Sequence, residues 1–199
     1  MFGFEYPNHP HTRRHGPEGY KDHESYRDWL RDEFLFRCVY CLHREKWYGR
    51  PTTFHIDHLR PVVAYPQGKL EYVNMVYACS TCNNAKLDIL GVPDPCVHAF
   101  GESLKINDDG FIEAINGTGE SLIKKLKLNN PSNLKYRFRW IRVLKALIEQ
   151  DPNLFRETMA FPDELPDLRN KSAPKNCKPD GIERCWFALR ERGELPETY

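Results

Sequence analysis

Long apolar runs are missing from this 199-residue chain. No stretch reaches the ~18 consecutive apolar residues that a membrane-spanning helix requires, and the mean hydropathy is −0.67, so no membrane association is expected. The opening residues Met1-Phe2-Gly3-Phe4-Glu5-Tyr6-Pro7 lack the basic segment and apolar core of a secretory signal, and a cytoplasmic location is the expectation. Charge of one sign is also scarce. With 29 Lys and Arg against 28 Asp and Glu, the net charge is +1. A protein living on nonspecific attraction to nucleic acid usually carries a larger positive excess, though this balance does not exclude a nucleic acid substrate. It leaves room for a local basic surface, or for a partner that supplies affinity. Internal repeats and low-complexity tracts are absent as well, which excludes solenoids and linker-like chains. What is present, 40% hydrophobic and 13% aromatic residues, suits a globular fold rather than a disordered one. The length suits one domain, or one domain with a helical extension.

Cysteine is not scarce, and its spacing is informative. Four of the seven cysteines form two identical pairs, Cys38-x2-Cys41 and Cys79-x2-Cys82. In a reducing compartment, paired C-x2-C spacing points to metal rather than to disulfides. Zinc binds four thiolates tetrahedrally, and each C-x2-C places two sulfurs on one tight turn. A four-thiolate site has no open coordination position, so such a zinc is structural and its binding energy helps fold the segment between the pairs. Four reduced thiols or a lone redox pair are the alternatives, and neither explains the polar segment that the pairs enclose. Cys96, Cys177 and Cys185 have no such spacing and read as ordinary thiols.

Between the pairs lie His55-Ile56-Asp57-His58 and Asn74, and after the last cysteine comes Asn83-Asn84-Ala85-Lys86. Thr52 to Ile56 has strand composition, Val73 to Ala78 reads as a second short strand, and Ser80 to Leu87 as a helix start with Ser80 or Thr81 near its cap. An Asp-His dipeptide alone is more often a satisfied turn pair. Inside this cysteine frame the functional reading is the stronger one. In a regular strand His55 and Asp57 share a face while His58 points away.

The order Cys-x2-Cys, Asp57-His58 with Pro61 following, Asn74, then Cys-x2-Cys-Asn-x2-Lys resembles the HNH endonuclease family over about residues 38–88. The resemblance implies a ββα-metal core; with the four-cysteine zinc site that staples it and the helices read below, the expected fold is α+β, with an N-terminal helix and a mainly helical C-terminal extension. It implies that Asp57 and Asn83 supply oxygens to a Mg²⁺- or Mn²⁺-like ion, a donor set suited to a hard cation. By the same resemblance His58 is the general base, a task that suits imidazole at neutral pH, and Asn74 braces the loop that orients it. An irregular loop at the Asp-His is expected, turning the two side chains toward one place. His55 is either a third metal ligand, a phosphate contact or a packed strand residue. Lys86 and Arg60 are each either phosphate contacts or solvated cations. Asn84 replaces Asn83 should the register be one residue off.

The rest of the chain reads as support. Residues 1–22, with His9, His11, Arg13, Arg14 and His15, form an arm: solvated, laid along a phosphate backbone, or binding metal through its histidines. A nuclease domain follows over 23–90, beginning with a helix over 23–37 whose Tyr26, Trp29, Leu30, Glu33 and Phe34 fall at helical spacing, with Ser25 as a candidate cap and Arg27, Arg31 and Arg37 facing solvent or phosphate, solvent being the safer reading. Residues 91–199 carry a hairpin around Asn107-Asp108-Asp109-Gly110, a short helix over 118–128, and a long helix over 131–150. Trp140, Ile141, Leu144, Leu147 and Ile148 form the long helix's apolar stripe, and Lys135, Arg137, Arg139, Arg142 and Lys145 a solvated or DNA-contacting basic face. A Pro-rich loop over 161–180 and a helix near 182–192, docked through Trp186, Phe187 and Leu189, close the chain.

The expected function is metal-dependent hydrolysis of DNA phosphodiester bonds, with DNA as the partner and a regulatory protein docking on the helical C-terminal region. By analogy the setting is defence against foreign DNA. The alternative from another class is a zinc-stabilised module that holds DNA or protein without cutting. An RNA-directed protein is the third reading, without an aromatic-basic signature to support it.

Overall fold

The computed structural model describes residues 3–48, 53–176 and 181–199. Strands β1 (Phe54–His58) and β2 (Met75–Cys79) pair antiparallel, with His55 opposite Ala78, Asp57 opposite Val76 and His58 opposite Met75. Three helices belong to this region: α1 (Arg27–Glu33), α2 (Glu45–Tyr48) and α3 (Ser80–Lys86). All five residues of β2 are buried, because α1 and α3 both pack on the strand pair. A second antiparallel pair, β3 (Leu104–Ile106) with β4 (Ile112–Ala114), turns at Asn107–Gly110, where Gly110 takes φ +81° as the turn requires. Helix α4 (Gly117–Leu126) packs on β4 and on α3. The chain continues through α5 (Pro131–Gln150), α6 (Pro152–Met159) and α7 (Trp186–Glu191).

The mixed helix-and-small-sheet architecture is the α+β class expected. Strand β1 starts two residues later than composition suggests, and Thr52 lies outside the described residues, as do Cys177 and Pro179. The first helix is shorter than its periodicity predicts. A single 3-10 turn (Glu24–Tyr26) leads into α1, which ends at Glu33. Leu35 and Phe36 then take φ +57° and +52°, a conformation costing roughly 1–2 kcal/mol per residue. Complete burial of Phe36 against Phe161 offsets that cost. Ser25 does not cap: its amide and hydroxyl both donate to the Asp22 carboxylate. Cys79 occupies the N-cap position of α3, and Ser80 and Thr81 follow as its first two residues.

The N-terminal arm is solvated only in part. Phe4 and Tyr6 enter the main hydrophobic cluster, which also draws on Leu168, Cys185 and Ala188 near the other end of the chain. Two of the arm's three histidines meet carboxylates, His11 with Glu33 and His15 with Asp32, each at 2.7 Å, and His9 is exposed. Nor do the first helix's arginines all face water. Arg31 is buried and clamps Glu45 through two nitrogens at 2.6 and 3.1 Å, and Arg27 donates to the Phe54 carbonyl. On α5, Arg137 leaves the expected basic face and is fully buried, donating to the carbonyls of Gly110 and Leu128. Lys135, Arg139, Arg142 and Lys145 remain exposed. Along the apolar stripe of α5, Ile141 and Leu144 are buried, while Leu147 and Ile148 are partly exposed. Among the described residues no helix is long and apolar enough to cross a membrane.

Candidate active site and cysteine cluster

The two C-x2-C turns meet at one point. The first leads out of α1, and its Val39 amide donates to the Tyr77 carbonyl at 3.0 Å, which pins the turn to β2. The second spans the β2–α3 junction. Ligand atoms of Cys38, Cys41, Cys79 and Cys82 all lie within 4.8 Å of one another, and all four residues are buried. Sulfurs on a tetrahedral zinc at 2.3 Å stand about 3.8 Å apart, and Cys41 Sγ is 3.6 Å from Cys79 Sγ. The cluster can hold a zinc ion. Hydrogen bonds from Cys38, Cys41 and Cys82 pull the Cys79 thiol below its usual range, whereas burial pushes Cys41 up. Cys96 is half-buried and Cys185 buried, both as free thiols.

Asp57 and His58 sit in regular strand backbone, not in the irregular loop expected. Alternation sends their side chains to opposite faces, and they find separate surroundings. The Asp57 carboxylate is 5% exposed. Its Oδ1 accepts from Lys86 Nζ at 3.0 Å and its Oδ2 from the Tyr40 hydroxyl at 2.6 Å. Burial raises the pKa of this carboxyl above its ordinary value, against the pull of Lys86. Lys86 is itself completely buried and also donates to the His58 carbonyl. The solvated-lysine expectation therefore fails: the aliphatic stem runs through the interior and the ammonium ends on Asp57.

His58 is half-buried. Its Nε2 stands 2.9 Å from the Lys69 carbonyl oxygen, which only accepts, so Nε2 carries the hydrogen and the neutral ring keeps its lone pair on Nδ1. Burial pushes its pKa below the usual histidine value. The carbonyl that orients it belongs to a 3-10 turn over Pro66–Leu70. Asn74 holds that turn in place. Its Oδ1 accepts from the Arg60 amide at 2.9 Å, and its Nδ2 donates to the carbonyls of Arg60 and Gly68 at 3.0 and 3.2 Å. Asn74 thus closes both ends of the long β1–β2 connection, one residue from the carbonyl that receives His58.

Asn83 stands in the first turn of α3, half-buried and three residues before Lys86. Residues so spaced share a helix face, and Lys86 reaches Asp57 from that face. The donors expected for a divalent cation are the Asp57 carboxylate and the Asn83 amide oxygen. A carboxylate has about four lone-pair positions, and Tyr40 and Lys86 use two. Such a donor set would suit a hard cation that keeps most of its own waters. His55 lies on the Asp57 face of β1, half-buried, and Asn84 is exposed. Arg60 is exposed, its guanidinium 3.8 Å from the Tyr65 ring centroid.

Two neighbours escape a reading of the sequence. Tyr40 carries one signal, a hydroxyl-bearing aromatic inside a metal-type turn. His23 carries none, yet its ring centroid is 6.0 Å from that of His58. No curated protein matches the chain. Over residues 38–88, from the first cysteine to just past Lys86, the chain matches the family model described as HNH endonuclease.

Proposed function

We propose that the chain is a metal-dependent endonuclease that hydrolyses DNA phosphodiester bonds. Asp57 and Asn83 would hold a Mg²⁺- or Mn²⁺-like ion, and the four cysteines a structural zinc. When bound, the divalent ion would polarise the phosphate and neutralise charge on the departing oxygen. His58 takes the proton of the attacking water on Nδ1. The observation that carries this reading is the hydrogen bond from His58 Nε2 to the Lys69 carbonyl. It fixes the tautomer that leaves Nδ1 basic, and it favours the imidazolium once the proton has arrived, as an oriented acceptor does for any general base. Asn74 acts through that carbonyl by holding the Gly68 end of the turn.

One observation favours a second reading, a zinc-stabilised binding module that does not cut. Lys86 already neutralises Asp57, so the carboxylate is satisfied without a divalent ion. Supercoiled plasmid separates the two. With Mg²⁺ or Mn²⁺ the wild type should nick or linearise it, and His58→Ala should lose about 10²-fold or more, roughly what a general base contributes. Equal cleavage by both proteins, or retarded but intact plasmid with the wild type, would reject the nuclease reading.

A further inference from the structure

Asp57 is tied to the cysteine cluster by one side chain. Tyr40 lies between Cys38 and Cys41, is fully buried, and donates its hydroxyl to Asp57 Oδ2 at 2.6 Å. Its own backbone has little freedom. The Tyr40 carbonyl accepts from the Tyr6 hydroxyl at 2.6 Å. On either side of it, the Val39 amide is bonded to Tyr77, and the Leu42 amide closes the turn on the Cys38 carbonyl at 2.9 Å. The phenol is thus a rigid strut from the cysteine turn to the carboxylate. Lys86 holds the other oxygen from α3, a helix whose start carries Cys79 and Cys82. Both contacts that set the Asp57 rotamer therefore come from segments anchored at the cluster.

We infer that Tyr40 is a positioning residue for the divalent ion: its hydroxyl fixes the Asp57 carboxylate so that the free lone pairs face the cation, and it makes the affinity of that cation depend on the cysteine turn. The inference rests on Asp57 being a ligand of that ion. Partners that orient a ligating carboxylate typically matter by about 10–100-fold in metal affinity, whereas a phenol that merely filled space would be replaced by phenylalanine without effect on a metal site.

The test is Mn²⁺ binding followed by electron paramagnetic resonance, with zinc content measured on the same samples. Wild type, Asp57→Asn and Tyr40→Phe are compared in a His58→Ala background, so that no readout depends on cleavage. Tyr40→Phe should keep its zinc and bind Mn²⁺ about 10–100-fold more weakly, while Asp57→Asn loses the site. If Asp57→Asn loses the site but Tyr40→Phe stays within about 3-fold of the parent, well short of the expected range, Tyr40 has no positioning role and the ligand assignment stands. If the parent has no Asp57-dependent Mn²⁺ site, the inference and the ligand assignment both fall. Should Tyr40→Phe lose zinc, Tyr6→Phe applies the test one hydrogen bond further back. Weaker Mn²⁺ binding with zinc retained supports the strut, and parental affinity overturns it.

Discussion

Among the described residues strand, strand, helix occurs twice, and the two units differ in what they bury. β1, β2 and α3 form the first unit; β3, β4 and α4 form the second, and the two helices pack on each other. In the second unit the connection is the tight Asn107–Gly110 turn, and Lys105 and Glu113 face water while Leu104, Ile106 and Ile112 face the core. Its interior needs apolar burial and little else. In the first unit the connection runs from Leu59 to Asn74, β2 is buried on both faces, and the interior holds a carboxylate, an ammonium, a phenol and four thiols. Groups of that kind lose hydration on burial and remain only where each finds a partner. The polar interior thus demands a scaffold, and the long loop, the buried Asn74 and the cysteine cluster supply it.

The comparison breaks most sharply on metal removal. Structural zinc in small cysteine-bound modules contributes on the order of 10 kcal/mol or more of apparent folding free energy. Chelation should therefore unfold the first unit, and because both units share one hydrophobic cluster, the second should melt with it. Thermal unfolding by circular dichroism, with zinc assayed before and after chelation, checks this. An unchanged melting profile after complete zinc loss would show that the polar unit stands without its staple.

A smaller effect separates what the buried ion pair does for stability from what it does for chemistry. Lys86→Met leaves Asp57 buried beside no cation and should cost about 3–5 kcal/mol, the usual penalty for orphaning one partner of a buried pair. Asp57→Leu with Lys86→Met removes both charges and should recover most of that loss, since replacing a buried pair by apolar residues is often neutral or stabilising by about 1–4 kcal/mol. Urea unfolding of the two variants measures the difference. Recovery in the double variant means that the pair is kept for function. Failure to recover means that the first unit needs its charges as structure.

The same contrast explains what can be read from the residues. The strand pairs, the α3 start and the 131–150 helix follow local patterns of composition, cap and period, and the cysteine spacing locates the cluster. Contacts that depend on distant partners leave no local trace. His15 meets Asp32, and Glu33 receives both His11 and the Tyr72 hydroxyl, none of which has a period or a motif. Lysine is usually solvated, and only the position of Asp57 on the neighbouring strand reverses that for Lys86. The regular strand at Asp57-His58 escapes because the loop expectation comes from the family rather than from the chain, whose β-branched and aromatic neighbours Ile56, Val76 and Tyr77 favour strand.

The smallest expected effect lies in the apolar unit and checks that it is only a support. Gly110 sits at φ +81°, and a Cβ added there would stand 2.8 Å from the Phe138 backbone nitrogen. Gly110→Ala should therefore cost about 1–2 kcal/mol from the left-handed backbone, with the close approach to α5 adding to it. The Arg137 side chain, which donates to the Gly110 carbonyl at 2.7 Å, would have to follow any shift of the turn. Plasmid cleavage by the folded variant should match the wild type, because nothing in this turn touches Asp57, His58 or the long loop between β1 and β2. A lower melting temperature with unchanged cleavage fits two units of unequal purpose. A cleavage defect in protein that is fully folded and zinc-loaded would mean that the second hairpin takes part in substrate binding, and the division drawn between the two units would have to be given up.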